Sequence, residues 1–115
     1  MQVRILHNPR CSKSRQALNL LQDQGLNPEI IEYLRTPPST DELRHILSLL
    51  GLEPRALMRR NEPEYRKAGL DDPSLDEAAL LEAMVDHPIL IQRPIVLAQG
   101  KAVLGRPPEK ALEIM

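Results

Sequence analysis

The stretch Gln2-Val3-Arg4-Ile5-Leu6-His7-Asn8-Pro9-Arg10-Cys11-Ser12-Lys13-Ser14-Arg15 changes character twice in a short span. Val3 and Ile5 are β-branched, with Leu6 beside them, and read as a short buried strand over Gln2 to Leu6. His7-Asn8-Pro9-Arg10 breaks that strand. From Ser12 a helix follows, with Ala17, Leu18 and Leu21 on one face, Leu20 at its margin, and Gly25 just past its end. Pro28 then precedes Glu29-Ile30-Ile31-Glu32-Tyr33-Leu34, a second strand. A strand, a helix and a strand within roughly 35 residues make a βαβ unit, whose two strands run parallel.

Outward from this unit the chain turns helical. Pro37-Pro38 ends the unit, and Ser39 with Glu42 reads as a capping box ahead of Leu43, Ile46, Leu47 and Leu50 at helical spacing, stopped by Gly51. Pro54 opens a short helix through Leu57, and Glu62 to Gly69 has room for a further turn or two. Ser74 with Glu77 reads as a second capping box, leading a helix through Leu80, Leu81, Met84 and Val85 until Pro88. Strand character returns in Ile95-Val96-Leu97-Ala98 and Lys101-Ala102-Val103-Leu104, joined by Gln99-Gly100 as a hairpin. Pro107-Pro108 starts a last short helix through Leu112. The economical assembly is an α/β fold: a thioredoxin/glutaredoxin-like four-stranded mixed sheet with an inserted helical block over about residues 39–87. Arg93-Pro94, just before the third strand, falls where that topology usually carries a cis proline.

Length and composition agree with one such domain over residues 1–115. Hydrophobic residues make up 42% and charged residues 27%, an ordinary globular balance. A net charge of -1 argues against a general nucleic-acid binder, which carries a basic surplus. No apolar run approaches the ~20 residues of a membrane span, and Met1-Gln2-Val3-Arg4 leads into a strand rather than a signal-peptide core. There is a single cysteine, so an internal disulfide is impossible and a cytoplasmic location is expected.

That cysteine is the residue most able to do chemistry. Cys11 stands at the first turn of a helix, where free amides and the helix dipole favour a thiolate, and Arg10, Lys13 and Arg15 add positive charge. A lone cysteine is most often an inert buried thiol, but such residues sit inside periodic apolar segments, not between Asn-Pro-Arg and Ser-Lys-Ser. Two motifs are absent. A phosphatase loop needs an arginine where Ala17 stands, and a dithiol redox site needs a cysteine where Ser14 stands. A monothiol remains, so any oxidised Cys11 must be resolved by a thiol from another molecule. One cysteine and three scattered histidines give no metal-ligand spacing, and no metal or bound cofactor is expected.

The stretch His7 to Arg15 resembles the nucleophile loop of the glutaredoxin-dependent arsenate reductases, the thioredoxin-like ArsC family. The resemblance continues through Tyr33-Leu34 before Pro37-Pro38, Arg55-Ala56-Leu57-Met58-Arg59-Arg60-Asn61, His87-Pro88-Ile89-Leu90-Ile91-Gln92-Arg93-Pro94-Ile95-Val96 and Arg106-Pro107. It implies that Cys11 is the nucleophile and His7 a partner that depresses its pKa. It also implies that Arg59, Arg93 and Arg106 bind the oxyanion, and that Ser14 and Arg15 of the nucleophile loop are substrate-binding too. Glutathione would be co-substrate and glutaredoxin the protein partner, with no membrane or nucleic-acid partner and a monomeric state. Two departures stand out: Ser12-Lys13 replaces the Gly-Thr common in such reductases, and the chain ends at Met115, where they extend further.

The chemistry is consistent on its own terms. Arsenate is largely divalent at neutral pH and must approach a thiolate. Arginine's planar fork suits a tetrahedral oxyanion, and each unit charge at ~4 Å contributes about 1–4 kcal/mol in partly wetted surroundings. Two readings follow. The chain is an enzyme reducing arsenate to arsenite, or it is a monothiol oxidoreductase, binding or regulatory module without arsenate turnover. Ser14 removes the dithiol switch of the thioredoxin-like regulators that dock on RNA polymerase.

Overall fold

Strand and helix alternate first, and a sheet grows from that alternation. The computed structural model describes residues 2–115, and the chain falls into two compact units. One comprises the segments up to Thr36 and from Arg93 onward; the other is Pro37–Gln92.

In the first unit, β1 (Val3–Leu6), α1 (Ser12–Asp23) and β2 (Glu29–Ile31) form the parallel βαβ element, and β3 (Ile95–Ala98) and β4 (Lys101–Leu104) form the hairpin. The sheet order is β2-β1-β3-β4, with β1 antiparallel to β3. Ile5 pairs with Ile30 on one side and Val96 on the other, and Val96 pairs with Val103. Because strand side chains alternate faces, Val3, Ile5, Val96 and Ala98 present one buried surface, which meets Ala17 and Leu21 of α1 and Ala111. Burying a leucine such as Leu21 contributes roughly 1.5–3 kcal/mol. The hairpin turn has φ 54 at Gln99 and φ 71 at Gly100, the paired left-handed values of a tight two-residue connection.

In the second unit, α2 (Thr40–Leu50) starts on the expected capping box, with Ser39 Oγ accepting from Glu42 N at 3.1 Å and Glu42 accepting from Ser39 N at 3.2 Å. It ends at Gly51 in the left-handed conformation. Leu43, Ile46 and Leu47 are buried, as are Leu80, Leu81 and Met84 of the helix that packs on α2. A short α3 (Pro63–Lys67) lies between them in sequence, and that packed partner is α4 (Glu77–Asp86). Arg55 donates from its guanidinium to Tyr65 Oη at 2.9 Å, to the Leu70 carbonyl and to the Asp72 carbonyl at 2.6 Å, gathering the connection after α3.

Three local expectations are corrected. The second strand stops at Ile31 instead of reaching Leu34. The Glu32 carbonyl accepts from Arg35 N and Thr36 N at 2.9 and 3.0 Å, and this turn buries Tyr33 while leaving Leu34 outward. The second capping box does not form. Asp76, nearer the helix, caps it by accepting from Ala79 N at 2.9 Å, while Ser74 is held by Asp72. The segments Pro54–Leu57 and Pro108–Leu112 are 3₁₀ turns, and Pro88–Leu90 adds another. The Arg93–Pro94 bond is cis, as the topology suggested, and Arg106–Pro107 is cis as well.

Candidate active site

Where β1 ends, the chain keeps its sheet contact for one more residue: His7 N donates to the Ile31 carbonyl at 2.8 Å. Asn8 then shapes the loop. Its side-chain oxygen accepts from Arg10 N at 3.0 Å and its carbonyl accepts from Cys11 N at 3.0 Å, folding residues 8–11 back on themselves. Asn8 N donates to Ser14 Oγ at 3.1 Å, and His7 Nδ1 lies 2.6 Å from the same oxygen. A hydroxyl with two lone pairs and one hydrogen can serve both partners. His7, Asn8 and Ser14 are all buried, so this small network fixes the loop against α1.

Cys11 is the N-cap residue of α1, in extended conformation, with 9% of its surface exposed. Burial alone would push its thiol up. The Ser14 amide, the Arg93 charge, the Lys13 amide and a hydrogen bond from the Arg93 side chain outweigh it, and the net result lies below the ordinary thiol value. The unsatisfied N–H groups of a helix start are aimed at this sulfur.

His7 also titrates low. Burial lowers its pKa, the Glu32 carboxylate pulls the other way, and Arg15 reinforces the lowering. The lowered value favours the neutral imidazole at pH 7; His7 meets Ser14 Oγ and is not among the groups that hold the Cys11 thiol down. Arg15 donates from Nη1 to the Pro9 carbonyl at 2.8 Å, clasping the loop from outside.

The two arginines of the returning chain meet each other. Arg106 Nη1 donates to the Arg93 carbonyl at 3.2 Å, and Gly105 N donates to the Pro94 carbonyl at 2.9 Å. A Cβ on Gly105 would meet Pro94 Cγ at 2.8 Å and Ala17 Cβ at 3.4 Å, so these segments and α1 approach closely. Arg93 Nε is buried and has no hydrogen-bond partner. Arg106 is exposed.

The first unit thus brings together Cys11, His7, Ser14, Arg15, Arg93 and Arg106. Arg59 belongs to the helical unit, where it pairs with Glu62 at 2.7 Å and its N–H donates to the Leu90 carbonyl at 2.7 Å. One contributor was not singled out from sequence: Asn8, whose Asn-Pro-Arg context marks a side-chain-capped turn; the helix-start amides expected at Cys11 are those of Ser14 and Lys13. Among the described residues no three His, Cys, Asp or Glu side chains cluster as a metal site, and no helix is long and apolar enough to cross a membrane.

Comparison with known proteins meets this geometry at the level of the whole chain. The ArsC family matches residues 6–114. The chain belongs to the ArsC family. It is 55% identical over 115 residues to the uncharacterized protein YfgD of Escherichia coli K12, covering 99% of this chain and 97% of that one. It is 53% identical over 109 residues to a protein of Neisseria meningitidis serogroup A named arsenate reductase, covering 94% and 93% of the two chains. The solved structure titled arsenate reductase from Vibrio cholerae superposes with a TM-score of 0.97 at 52% identity, covering 100% of this chain and 98% of that one. The fold is thioredoxin-like, as its family neighbours are.

Proposed function

We propose that the chain is an arsenate reductase that uses Cys11 as its single nucleophile and draws electrons from glutathione and glutaredoxin. One observation carries the reading: a sparingly exposed sulfur whose pKa is held down, against burial, by the Ser14 and Lys13 amides and the Arg93 guanidinium. The orphaned Arg93 Nε supports it, because a buried N–H without an acceptor is a standing demand for one. The names borne by the relatives support it too.

In this reading the Cys11 thiolate attacks arsenic(V), an As–S bond forms, and one oxygen leaves as water after protonation. Arg93 and Arg106 neutralise the oxyanion and the charge developing on the departing oxygen. A glutathione thiolate then attacks Cys11 Sγ. The S–As electron pair passes to arsenic, which leaves as arsenite, and the new S–S bond carries the oxidation. A glutaredoxin thiolate attacks the glutathione sulfur of that mixed disulfide and frees Cys11. With no second cysteine, the chain itself offers no alternative resolving thiol. The reading places the protein in the cytoplasm, where glutathione is kept reduced.

The test is arsenate reduction with glutathione and glutaredoxin, comparing the native chain with Cys11→Ser. Turnover in the native chain and none above background in Cys11→Ser is expected. Equal rates would remove Cys11 from the chemistry, and no turnover in either would leave the monothiol module.

A further inference from the structure

Besides the arginines assigned to the oxyanion, the nucleophile loop carries cations of its own. Arg10, Lys13, Arg15 and Arg106 are exposed. Arg10 precedes Cys11, Lys13 contributes an amide to its sulfur, Arg15 clasps Pro9, and Arg106 holds the carbonyl of Arg93. Among the described residues the salt bridges involve Arg44 and Arg59, not these four, and the first turn of α1 carries no acid. Glu32 acts on His7 and is not among the charges acting on Cys11. On a chain of net charge -1, the segment from Arg10 to Arg15 carries three cations and no acid beside the nucleophile.

We propose that this rim is the docking surface for the small, carboxylate-bearing thiol that resolves Cys11, with Arg10 and Lys13 receiving its carboxylates. The proposal rests on the thiol chemistry assigned to Cys11 and adds its recognition element. The lone cysteine requires an outside thiol, and the rim selects an anionic one. At 9% exposure, Cys11 admits a slender CH₂–S group more readily than a sulfur mounted on a folded partner. The small thiol therefore comes first, and the glutathionylated sulfur it leaves projects far enough for a protein thiol to reach. Lys13 fits this role because its backbone N–H faces the sulfur while its side chain is exposed.

The experiment measures mixed-disulfide formation at pH 7 with three probes: anionic glutathione disulfide, uncharged hydroxyethyl disulfide and cationic cystamine. In each reaction the Cys11 thiolate attacks one probe sulfur, the S–S bond breaks and the leaving thiolate takes the electron pair. Rates are corrected for the thiolate fraction of each variant and for leaving-group pKa, then divided by that variant's rate with hydroxyethyl disulfide. The native chain is expected to favour glutathione disulfide about tenfold at low salt and to disfavour cystamine, the preference shrinking as salt screens the rim. Arg10→Gln with Lys13→Gln should bring the three probes within about twofold of one another. No charge ranking in the native chain, or an unchanged ranking in the double variant, overturns the proposal. A double variant slowed only in glutaredoxin's removal of glutathione also overturns it, in favour of a protein-docking face. If the ranking holds while arsenate is not reduced, the arsenate reading alone falls; if arsenate is reduced without the ranking, the rim alone falls.

Discussion

Two arginines, one in each unit, show how differently the halves of the chain use the same side chain. In the helical unit Arg55 has acceptors gathered around it: Tyr65 Oη and the carbonyls of Leu70 and Asp72. In the sheet unit Arg93 faces a sulfur and keeps a buried Nε with no acceptor. The surroundings follow the same contrast. The buried polar side chains among the described residues, His7, Asn8 and Ser14, all lie beside Cys11, whereas the helical unit buries Leu43, Ile46, Leu47, Leu80, Leu81 and Met84 and caps its helices at the surface. A satisfied arginine holds a fold together; an unsatisfied one recruits an anion.

Exchanging these roles gives the largest expected effects. Arg93→Ala should raise the Cys11 pKa and slow arsenate reduction about 10²–10³-fold, the range found when one donor to a transition-state anion is removed. Thiolate absorbance against pH and steady-state kinetics check both. Arg55→Ala should instead appear in denaturant unfolding, with a loss of about 2 kcal/mol as buried partners lose a charged donor. If Arg93→Ala merely destabilised the protein and left the thiol pKa unmoved, the contrast would collapse.

A step smaller, Ser14→Ala tests the buried polar network. Asn8 N–H and His7 Nδ1 both lose their partner, for about 1–3 kcal/mol in the unfolding midpoint at constant m-value. The Ser14 amide is retained, so the thiol pKa should move less than in Arg93→Ala. A larger pKa shift in Ser14→Ala would make the hydroxyl, not the amide, the controlling group.

pH then separates the two titrating groups. His7 binds its proton less readily folded than unfolded, so its stabilising contribution is complete above the ordinary 6.5 and is lost as pH falls below it. Cys11 follows the same sign from a higher origin: complete above 9.0, lost as pH falls through the lowered folded value. Urea midpoints should therefore rise with pH in both windows. His7→Asn should flatten the acid limb and Cys11→Ser the alkaline one. A midpoint that falls with pH between 5 and 6.5, the window set by the ordinary histidine pKa, would mean that His7 is charged in the folded state.

Much of this was legible because local chemistry and tertiary outcome agreed. Val3, Ile5 and Val96 alternate as half-buried strands do, Ser39 and Glu42 cap as their spacing requires, and Gln99-Gly100 turns as its backbone freedom allows. Cys11 was legible from position, since a strand followed by a turn and a helix start puts free amides at one residue. What was not legible depended on competition or on distance. Tyr33 reads as strand, yet a turn at Glu32 buries it more completely. The close approach of Gly105 to Pro94 and Ala17, and the hydrogen bond from Arg106 to the Arg93 carbonyl, depend on the hairpin's pairing. The neutral state of His7 depends on burial, which no single residue announces.

The smallest effect sharpens the same contrast at a helix start. Ser39→Ala and Asp76→Ala should each lose about 1 kcal/mol, the usual worth of an N-cap acceptor. Ser74→Ala should stay within about 0.5 kcal/mol, because its exposed hydroxyl donates to Asp72 and touches no helix amide. Spacing alone cannot separate Ser74 from Asp76, since Glu77 follows Ser74 at the distance a capping box requires. Competition decides: Asp76 adjoins the first turn, and its carboxylate also meets the positive end of the helix dipole. A Ser74→Ala loss equal to that of Asp76→Ala would show that α4 begins a turn earlier in solution, and that surface caps here are exchangeable in a way the buried loop at Cys11 is not.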